Sequence, residues 1–152
     1  MHKFHTLTFL LALSLNFISC EKRSVKNIDS ISYGTSFGMC VNYCINNLSV
    51  SNENVTFSKS KNGQMPDTKT CTAAISKDEV SKIKGLLDED KIMALPERIG
   101  CPDCADGGAE WVSITVGDKT HKVVFEYGKA PAELAAVVVK FRALKETFKN
   151  CN

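Results

Sequence analysis

The stretch 111-WVSITVGDKTHKVVFEYG-128 decides the fold, because two runs of alternating apolar and polar residues meet there at a short turn. In the first run Val112, Ile114 and Val116 alternate with serine and threonine. The second run alternates in the same way through His121, Val123, Phe125 and Tyr127. Successive side chains of a strand point to opposite faces, and Gly117-Asp118 suits a two-residue hairpin turn. The stretch therefore predicts two antiparallel strands that share one apolar face.

Four more runs with strand character precede this hairpin, at 28–33, 43–50, 55–58 and 70–75. The tetrapeptide SNEN at 51–54 reads as a hairpin turn, and 34-GTSFGMC-40 reads as a loop after the first strand. We therefore predict four strands before the first helix, with Cys71 on a central strand.

Two helices complete the pattern. Ser76 and Glu79 form a capping box, in which the serine side chain accepts an early amide and the glutamate reaches back, so a helix begins there and is expected to end near Asp88. Pro131 opens the last helix, because proline is tolerated in a first turn. The predicted buried positions are Val80, Ile83, Leu86 and Leu87 in the first helix and Leu134, Val137, Val138, Phe141, Leu144 and Phe148 in the last.

The element order is therefore ββββ-α-ββ-α, with a long loop at 95–108 before the hairpin. Strands that are mostly joined by short turns, with few helices, indicate the α+β class. We expect a mostly antiparallel sheet whose apolar face is covered by the two helices and whose loops are stapled by disulfides.

The N-terminus has the features of an export signal. A basic residue, Lys3, precedes the mostly apolar segment 7–19, which is too short for a membrane-spanning helix and is followed at once by charged residues. The sequence 17-FISC-20 resembles the bacterial lipobox, although Phe17 stands where leucine is usual. That resemblance implies cleavage before Cys20 and acylation of this cysteine, whereas ordinary signal cleavage and an uncleaved anchor are the alternatives.

These features divide the chain into a signal peptide at 1–19, a lipidated cysteine with a polar tether at 20–27, and a single domain at 28–152. Several acyl chains buried in a bilayer make attachment effectively permanent. We therefore expect a bacterial cell-envelope protein held by lipid, at the outer membrane, on its periplasmic or its surface side.

The charge of the mature chain argues against a polyanionic partner. The signal contains only Lys3 among charged residues, so 18 basic residues face 17 acidic ones in what remains. Nucleic-acid binding requires a strong basic patch. We expect no nucleic-acid partner, and instead an unidentified protein or small-molecule ligand.

Six cysteines remain outside Cys20, and an even number in an exported chain is typical of disulfides. They are Cys40, Cys44, Cys71, Cys101, Cys104 and Cys151. We predict a bond between Cys71 and Cys151 and two bonds among the other four cysteines. Which of these four pair with each other is left open. Cys40 and Cys44 would lie about 13 Å apart on an extended strand, so their direct pairing requires a kink.

The stretch 101-CPDCADGGAEW-111 allows two other chemistries. A thiol-redox pair at Cys101 and Cys104 would need a helix N-terminus to lower the thiolate pKa, but ADGG and a strand follow. A tetrathiolate zinc site could combine these two cysteines with Cys40 and Cys44. A structural disulfide is the preferred interpretation, and both alternatives remain open.

Residues suited to catalysis are few, and we assign no catalytic residue, metal or cofactor. His121 is the single histidine left after signal removal and lies in an alternating strand, so it is interpreted as a packing residue. Asp103, Asp106 and Glu110 do not follow the ligand rhythm of a calcium loop and are interpreted as solvated loop acids. Trp111 is interpreted as a core or rim residue at the start of a half-buried strand.

The motifs SFGMCVNYC, CPDCADGGAEW and THKVVFEYG together resemble a family of small lipoproteins and secreted domains of unknown function from Gram-negative bacteria. Phe37, Gly38, Cys40 and Tyr43 match its first motif, in which a strand, a Phe-Gly turn with a cysteine and a second strand follow one another. The resemblance covers roughly residues 28–148. It implies an exported α+β domain and no catalytic residue.

The function expected from the sequence is a non-enzymatic binding or interaction module. Its loops at 34–44 and 95–110 are expected to be clamped together by disulfides, since a rigid surface loses little entropy on docking. The candidate binding residues are Phe37, Tyr43, Asp103, Asp106 and Trp111.

Overall fold

The structure is a computed structural model, and it describes residues 27–63 and 67–151. Its strands are β1 (Ile28–Ser36), β2 (Tyr43–Ser51), β3 (Asn54–Lys61), β4 (Thr68–Ala74), β5 (Arg98–Ile99), β6 (Ala109–Val116) and β7 (Lys119–Glu126). Its α-helices are α1 (Lys77–Lys84), α2 (Glu89–Met93) and α3 (Ala132–Glu146), and Cys104–Asp106 forms one 3₁₀ turn. The predicted α+β class is confirmed.

One seven-stranded sheet has the order β4-β3-β2-β1-β6-β7-β5. All neighbouring strands are antiparallel except β5 and β7 at one edge. The predicted hairpin is present as β6 and β7, with Gly117 in the left-handed region (φ 59°) that a tight hairpin turn requires. The sheet is therefore mostly antiparallel, as the alternating pattern predicted.

The core lies between one face of the sheet and the helices. Every second residue of the inner strands faces it, including Ile31, Leu48, Val112 and Phe125. Helix α3 begins after Pro131 and contributes Leu134, Val137, Val138 and Phe141, while Phe148 just beyond it is also buried. These residues confirm the predicted stripe of the last helix except at Leu144, which is only partly buried.

The predicted first helix is shorter than expected, and a third helix, α2, which the sequence did not predict, follows it. Ser76 caps α1 as expected, its Oγ accepting the Glu79 amide at 3.2 Å. The helix ends at Lys84 instead of continuing to Asp88, because Gly85 follows it and Asp88 caps a new helix by accepting the Lys91 amide. This break leaves Leu86, predicted to be buried, 39% exposed.

Several boundaries also differ from the prediction. Cys71 lies on β4, which is an edge strand and not a central one. The loop at 95–108 contains the short β5, and β6 begins at Ala109, two residues before Trp111. Strand β1 extends through Ser36, because its ladder with β2 and β6 continues into the expected loop.

The predicted export signal, Cys20 and most of the predicted tether lie outside the described residues. Among the residues that the structure does describe, no helix has both the length and the apolar character needed to cross a membrane.

Candidate functional site

Three cysteine pairs lie at disulfide distance. Cys71 and Cys151 form the predicted long-range bond, which ties the edge strand β4 to the chain just beyond α3. The other two bonds are local, Cys40 with Cys44 and Cys101 with Cys104. Asn42, whose φ of 74° is left-handed, supplies the kink that brings the Cα atoms of Cys40 and Cys44 to 5.6 Å.

Each local bond closes a loop at the same end of the sheet. We name residues 37–44 the Cys40 loop and residues 100–108 the Cys101 loop. The Gly38 amide donates to the Asp103 carboxylate at 3.4 Å, and a side chain on Gly108 would collide with the Phe37 ring. The two loops are therefore neighbours, but the prediction that disulfides clamp them to each other is wrong.

Phe37 lies where the Cys40 loop meets the Cys101 loop, since a side chain on Gly108 would collide with its ring. Its ring packs edge-on against Tyr127, with 5.0 Å between ring centroids, in the turn after β7. The Asn62 side chain donates to the carbonyls of Phe37 and Gly38 at 3.0 and 3.1 Å. Packing and hydrogen bonds, in place of a covalent clamp, hold the Cys40 loop against its neighbour.

The tip of the Cys40 loop is apolar and open to solvent. Met39 is 81% exposed and Val41 is 87% exposed, one on each side of Cys40. The Phe37 amide also donates to the Cys44 carbonyl at 3.2 Å, so the loop is closed by a backbone bond as well as by its disulfide. Large apolar side chains are thus held outward on a short, closed loop.

The Cys101 loop has an unusual backbone. Asp103, Ala105 and Asp106 all have φ between 51° and 63°, a region in which a side chain costs energy. Cys104 is the first residue of a 3₁₀ turn of only three residues, so the cysteine pair lies at no α-helix N-terminus. The arrangement lacks the support that lowers a catalytic thiol's pKa.

Beneath the two loops lies a buried carboxylate. Glu110 on β6 has no solvent exposure, which corrects its interpretation as a solvated loop acid. Arg142 of α3 donates to both of its oxygens, at 2.9 and 2.7 Å. The Tyr33 hydroxyl donates at 2.5 Å and the Gly128 amide at 3.1 Å. We name Tyr33, Glu110 and Arg142 the buried triad.

The buried triad shifts the pKa values of two of its members. Burial, followed by the hydrogen bond to Glu110, raises the pKa of Tyr33 well above its usual range. The hydrogen bond to Glu110 is also the main cause that raises the pKa of Arg142. Tyr33 therefore stays protonated and Arg142 stays charged, so the triad is a fixed support and not a proton-transfer site.

The remaining predicted residues lie in different places. Asp103 and Asp106 are exposed in the Cys101 loop. Tyr43 is half-buried beneath Lys59 and donates to Asp67 at 3.0 Å. Trp111 lies on the outer sheet face, across Gly34, which makes it a rim residue and separates it from the two loops. The structure thus brings Phe37 and Asp103 together, places Tyr43 at the end of the Cys40 loop in contact with Lys59 and Asp67, and leaves Trp111 apart on the outer face.

No catalytic arrangement is visible among the described residues. His121 is part-buried, with Nε2 3.0 Å from the Leu95 carbonyl, and the six described cysteines are paired. Within the same residues, no group of three or more histidine, cysteine or acidic side chains is arranged to hold a metal ion.

Sequence reasoning missed the buried triad. The available signal was register: Glu110 shares its strand face with the predicted core residues Val112 and Ile114. A buried acid requires a partner, and Arg142 follows the buried Phe141 on α3.

Two comparisons with known proteins found no relative. A scan against models of protein families found no match, and a search of curated proteins found no significant match. The resemblance to small Gram-negative lipoproteins therefore stays a prediction, and no property of a relative bears on the site.

Proposed function

We propose that the protein is a lipid-anchored bacterial envelope protein whose domain acts as a non-enzymatic binding module for a protein partner. The Cys40 loop, supported by the Cys101 loop, is the binding surface. The observation that carries the proposal is the exposure of Met39 and Val41 on a loop closed by a disulfide. Apolar side chains held outward at little entropic cost are suited to filling a pocket on a partner.

The direction of β1 supports this arrangement. Ile28, which follows the proposed tether, pairs with Val116 near the hairpin turn, whereas Ser36 at the other end leads into the Cys40 loop. Nine extended residues separate these ends by roughly 26 Å. A chain anchored through Cys20 therefore presents the loops at the end of the sheet away from its tether.

The rigid base of the surface is a second support. The buried triad joins β1, β6 and α3 directly beneath the loops. The two local disulfides add constraints within each loop. The surface is therefore held in one shape before a partner arrives.

Photo-crosslinking in the native envelope tests the proposal. A photoreactive phenylalanine analogue replaces Val41, with replacement of Asp118 in the hairpin turn at the opposite end as the matched control. We expect a discrete crosslinked protein from position 41 and none from position 118. Adding Met39→Ser to the Val41 probe should weaken the crosslink, since it removes half of the apolar tip.

Crosslinks of equal yield from both positions, or none from position 41, would contradict a binding role for this loop. The anchor is tested separately, by mass spectrometry of the mature N-terminus. A peptide that begins at an unmodified residue would contradict lipidation at Cys20 without bearing on the loop.

Thiol titration of the native protein separates this proposal from the redox and zinc alternatives. We expect all six domain cysteines to be blocked until a reductant is added. One pair that cycles at a mild potential would favour thiol-redox work, and four free thiols with bound zinc would favour a metal site.

A further inference from the structure

The outer face of the sheet, opposite the helices, is a large surface lined by hydroxyl groups. The pairing registers align Thr72, Thr56, Ser49, Ser32, Ser113 and Lys122 in one row across six strands. The core cluster contains inner-face and helix residues, so no described helix packs on these side chains. The row is therefore open to solvent.

This face contains unusually little charge. On these six strands Lys122 is the one charged residue among the 18 positions of that row and the two rows beside it, and the seventh strand, β5, adds Arg98 in register with Val124. In the whole chain 24% of residues are charged, so about four would be expected in 18 positions. A polar outer face is normal for an antiparallel sheet facing water, but so small a number of charged residues on it is unusual.

Lys122 lies beside the tryptophan of the chain. Its Nζ is 4.3 Å from the centroid of the Trp111 ring, and the indole lies across Gly34, where any side chain would collide with it. Among the described ion pairs none involves Lys122. The face thus has two cations in no described ion pair, Lys122 and the exposed Arg98 of β5, and Lys122 is the one held against an aromatic ring.

The surroundings affect this cation. Burial lowers the pKa of Lys122, because the ammonium is partly removed from water without a compensating charge. An incoming carboxylate would supply that charge.

We propose that the outer face binds a polysaccharide that carries carboxylate groups. Lys122 pairs with a carboxylate, the open part of Trp111 contacts the apolar face of a sugar ring, and the hydroxyl rows exchange hydrogen bonds with sugar hydroxyls. The small number of charges suits a ligand rich in hydroxyl groups, the two that are present, Lys122 and Arg98, are both positive, and the lack of an apolar patch disfavours a second protein sheet. The spacing of strands, about 4.8 Å, is comparable to the length of one sugar unit.

Titration with a matched pair of oligosaccharides tests this site. The probes are oligogalacturonate and the same oligomer with its carboxylates methyl-esterified. Because the chain has one tryptophan, its intrinsic fluorescence reports binding at Trp111 directly, and calorimetry gives the affinity. We expect the acid form to bind with a dissociation constant on the order of 1 mM or tighter. The ester is expected to bind more weakly by about fivefold, the upper range for one exposed ion pair.

Three variants test whether the preference for the acid oligomer arises on the outer face. Lys122→Gln should reduce the preference for the acid form, whereas Lys119→Gln, on the same strand but in the turn, should keep it. Ser32→Asp places a negative charge in the middle of the row and should weaken binding of the acid form alone. Circular dichroism checks that each variant is folded.

Absence of binding by both oligomers, equal binding of acid and ester, or an unchanged preference in Lys122→Gln would each overturn the inference. The site is independent of the Cys40 loop, so the Met39→Ser and Val41→Ser variants should bind the acid oligomer normally. If they lose it, the binding does not occur on the outer face.

Discussion

Glu110 and Arg142 form an ion pair whose two members differ in their access to water. Glu110 has no exposure, whereas the Arg142 side chain is 41% exposed. Removing Arg142 leaves a buried carboxylate without its charge partner, and removing Glu110 leaves a guanidinium that water still reaches. The two substitutions are therefore not equivalent.

We expect Arg142→Met to lower the free energy of unfolding by about 3 to 5 kcal/mol and Glu110→Gln by about 1 to 3 kcal/mol. Urea denaturation measures both. Lys77→Ala is the control, because it removes an exposed ion pair with Glu53 that lies away from the buried triad. It should change the free energy of unfolding by less than about 1 kcal/mol. A larger loss in Glu110→Gln than in Arg142→Met would contradict this account.

Tyr33 makes stability depend on pH in the alkaline range. Its phenol has an ordinary pKa of 10.0, and the folded protein raises it. The unfolded chain therefore loses this proton first, so the contribution of Tyr33 is complete below pH 10 and is lost as the pH rises above it.

We expect the stability advantage of the native protein over Tyr33→Phe to shrink above pH 10 by up to about 1.4 kcal/mol per pH unit. Denaturation of both proteins across this range measures it, and their difference removes the effect of lysine titration. If the difference in unfolding free energy between the two proteins stays constant above pH 10, folding does not raise the pKa of the Tyr33 phenol.

The residue scale is where the sequence was least informative. The register of β6 places Glu110 on the inner face of the sheet. The sequence does not show that β6 begins as early as Ala109, so Glu110 is grouped with the acids of the preceding loop and predicted to be solvated. The partner could not be found from one sequence, since 32 residues separate Arg142 from Glu110.

At the scale of elements, β1 and β6 meet at a point where only glycine fits. Gly34 is opposite Trp111 in the register, and a side chain there would collide with the indole and with the Asn46 carbonyl. The tryptophan therefore lies flat across β1 because the strand has no side chain at that position.

We expect Gly34→Ala to destabilise the protein by about 1 to 3 kcal/mol, as overpacked substitutions do. Gly85→Ala is the matched control, because Gly85 has a helical φ of −65° at the end of α1. It should be neutral or stabilising by up to about 1 kcal/mol. Equal effects of the two substitutions in chemical denaturation would contradict the packing of Trp111 on β1.

The long elements were predictable, whereas the short ones were not. Alternation in β6 and β7 and the stripe of α3 are repeated over many residues, so their periods are clear. The two-residue β5 exists only because it pairs with Val124 and Phe125. The break of the first helix follows from Gly85 and Asp88, whose local signals were weaker than the apolar pattern across them.

At the scale of the whole molecule, the bond between Cys71 and Cys151 connects the edge of the sheet to the end of the chain. It closes a loop with a sequence separation of 80, compared with 4 for Cys40 and Cys44. Chain entropy predicts a loss of up to about 4.5 kcal/mol when the long loop is opened and about 2 kcal/mol for the short one.

We expect Cys71→Ser with Cys151→Ser to be at least twice as destabilising as Cys40→Ser with Cys44→Ser. Guanidinium denaturation of the two double variants measures the ratio. A smaller loss from the long-range pair would show that the entropy of the unfolded chain does not dominate its effect.

The same bond also determines what a protease leaves behind. Any single cut between residues 72 and 150 yields two fragments that remain covalently joined and migrate together until a reductant separates them. A molecule nicked in the Cys101 loop would thus keep its amino-terminal and carboxy-terminal portions in one covalent unit.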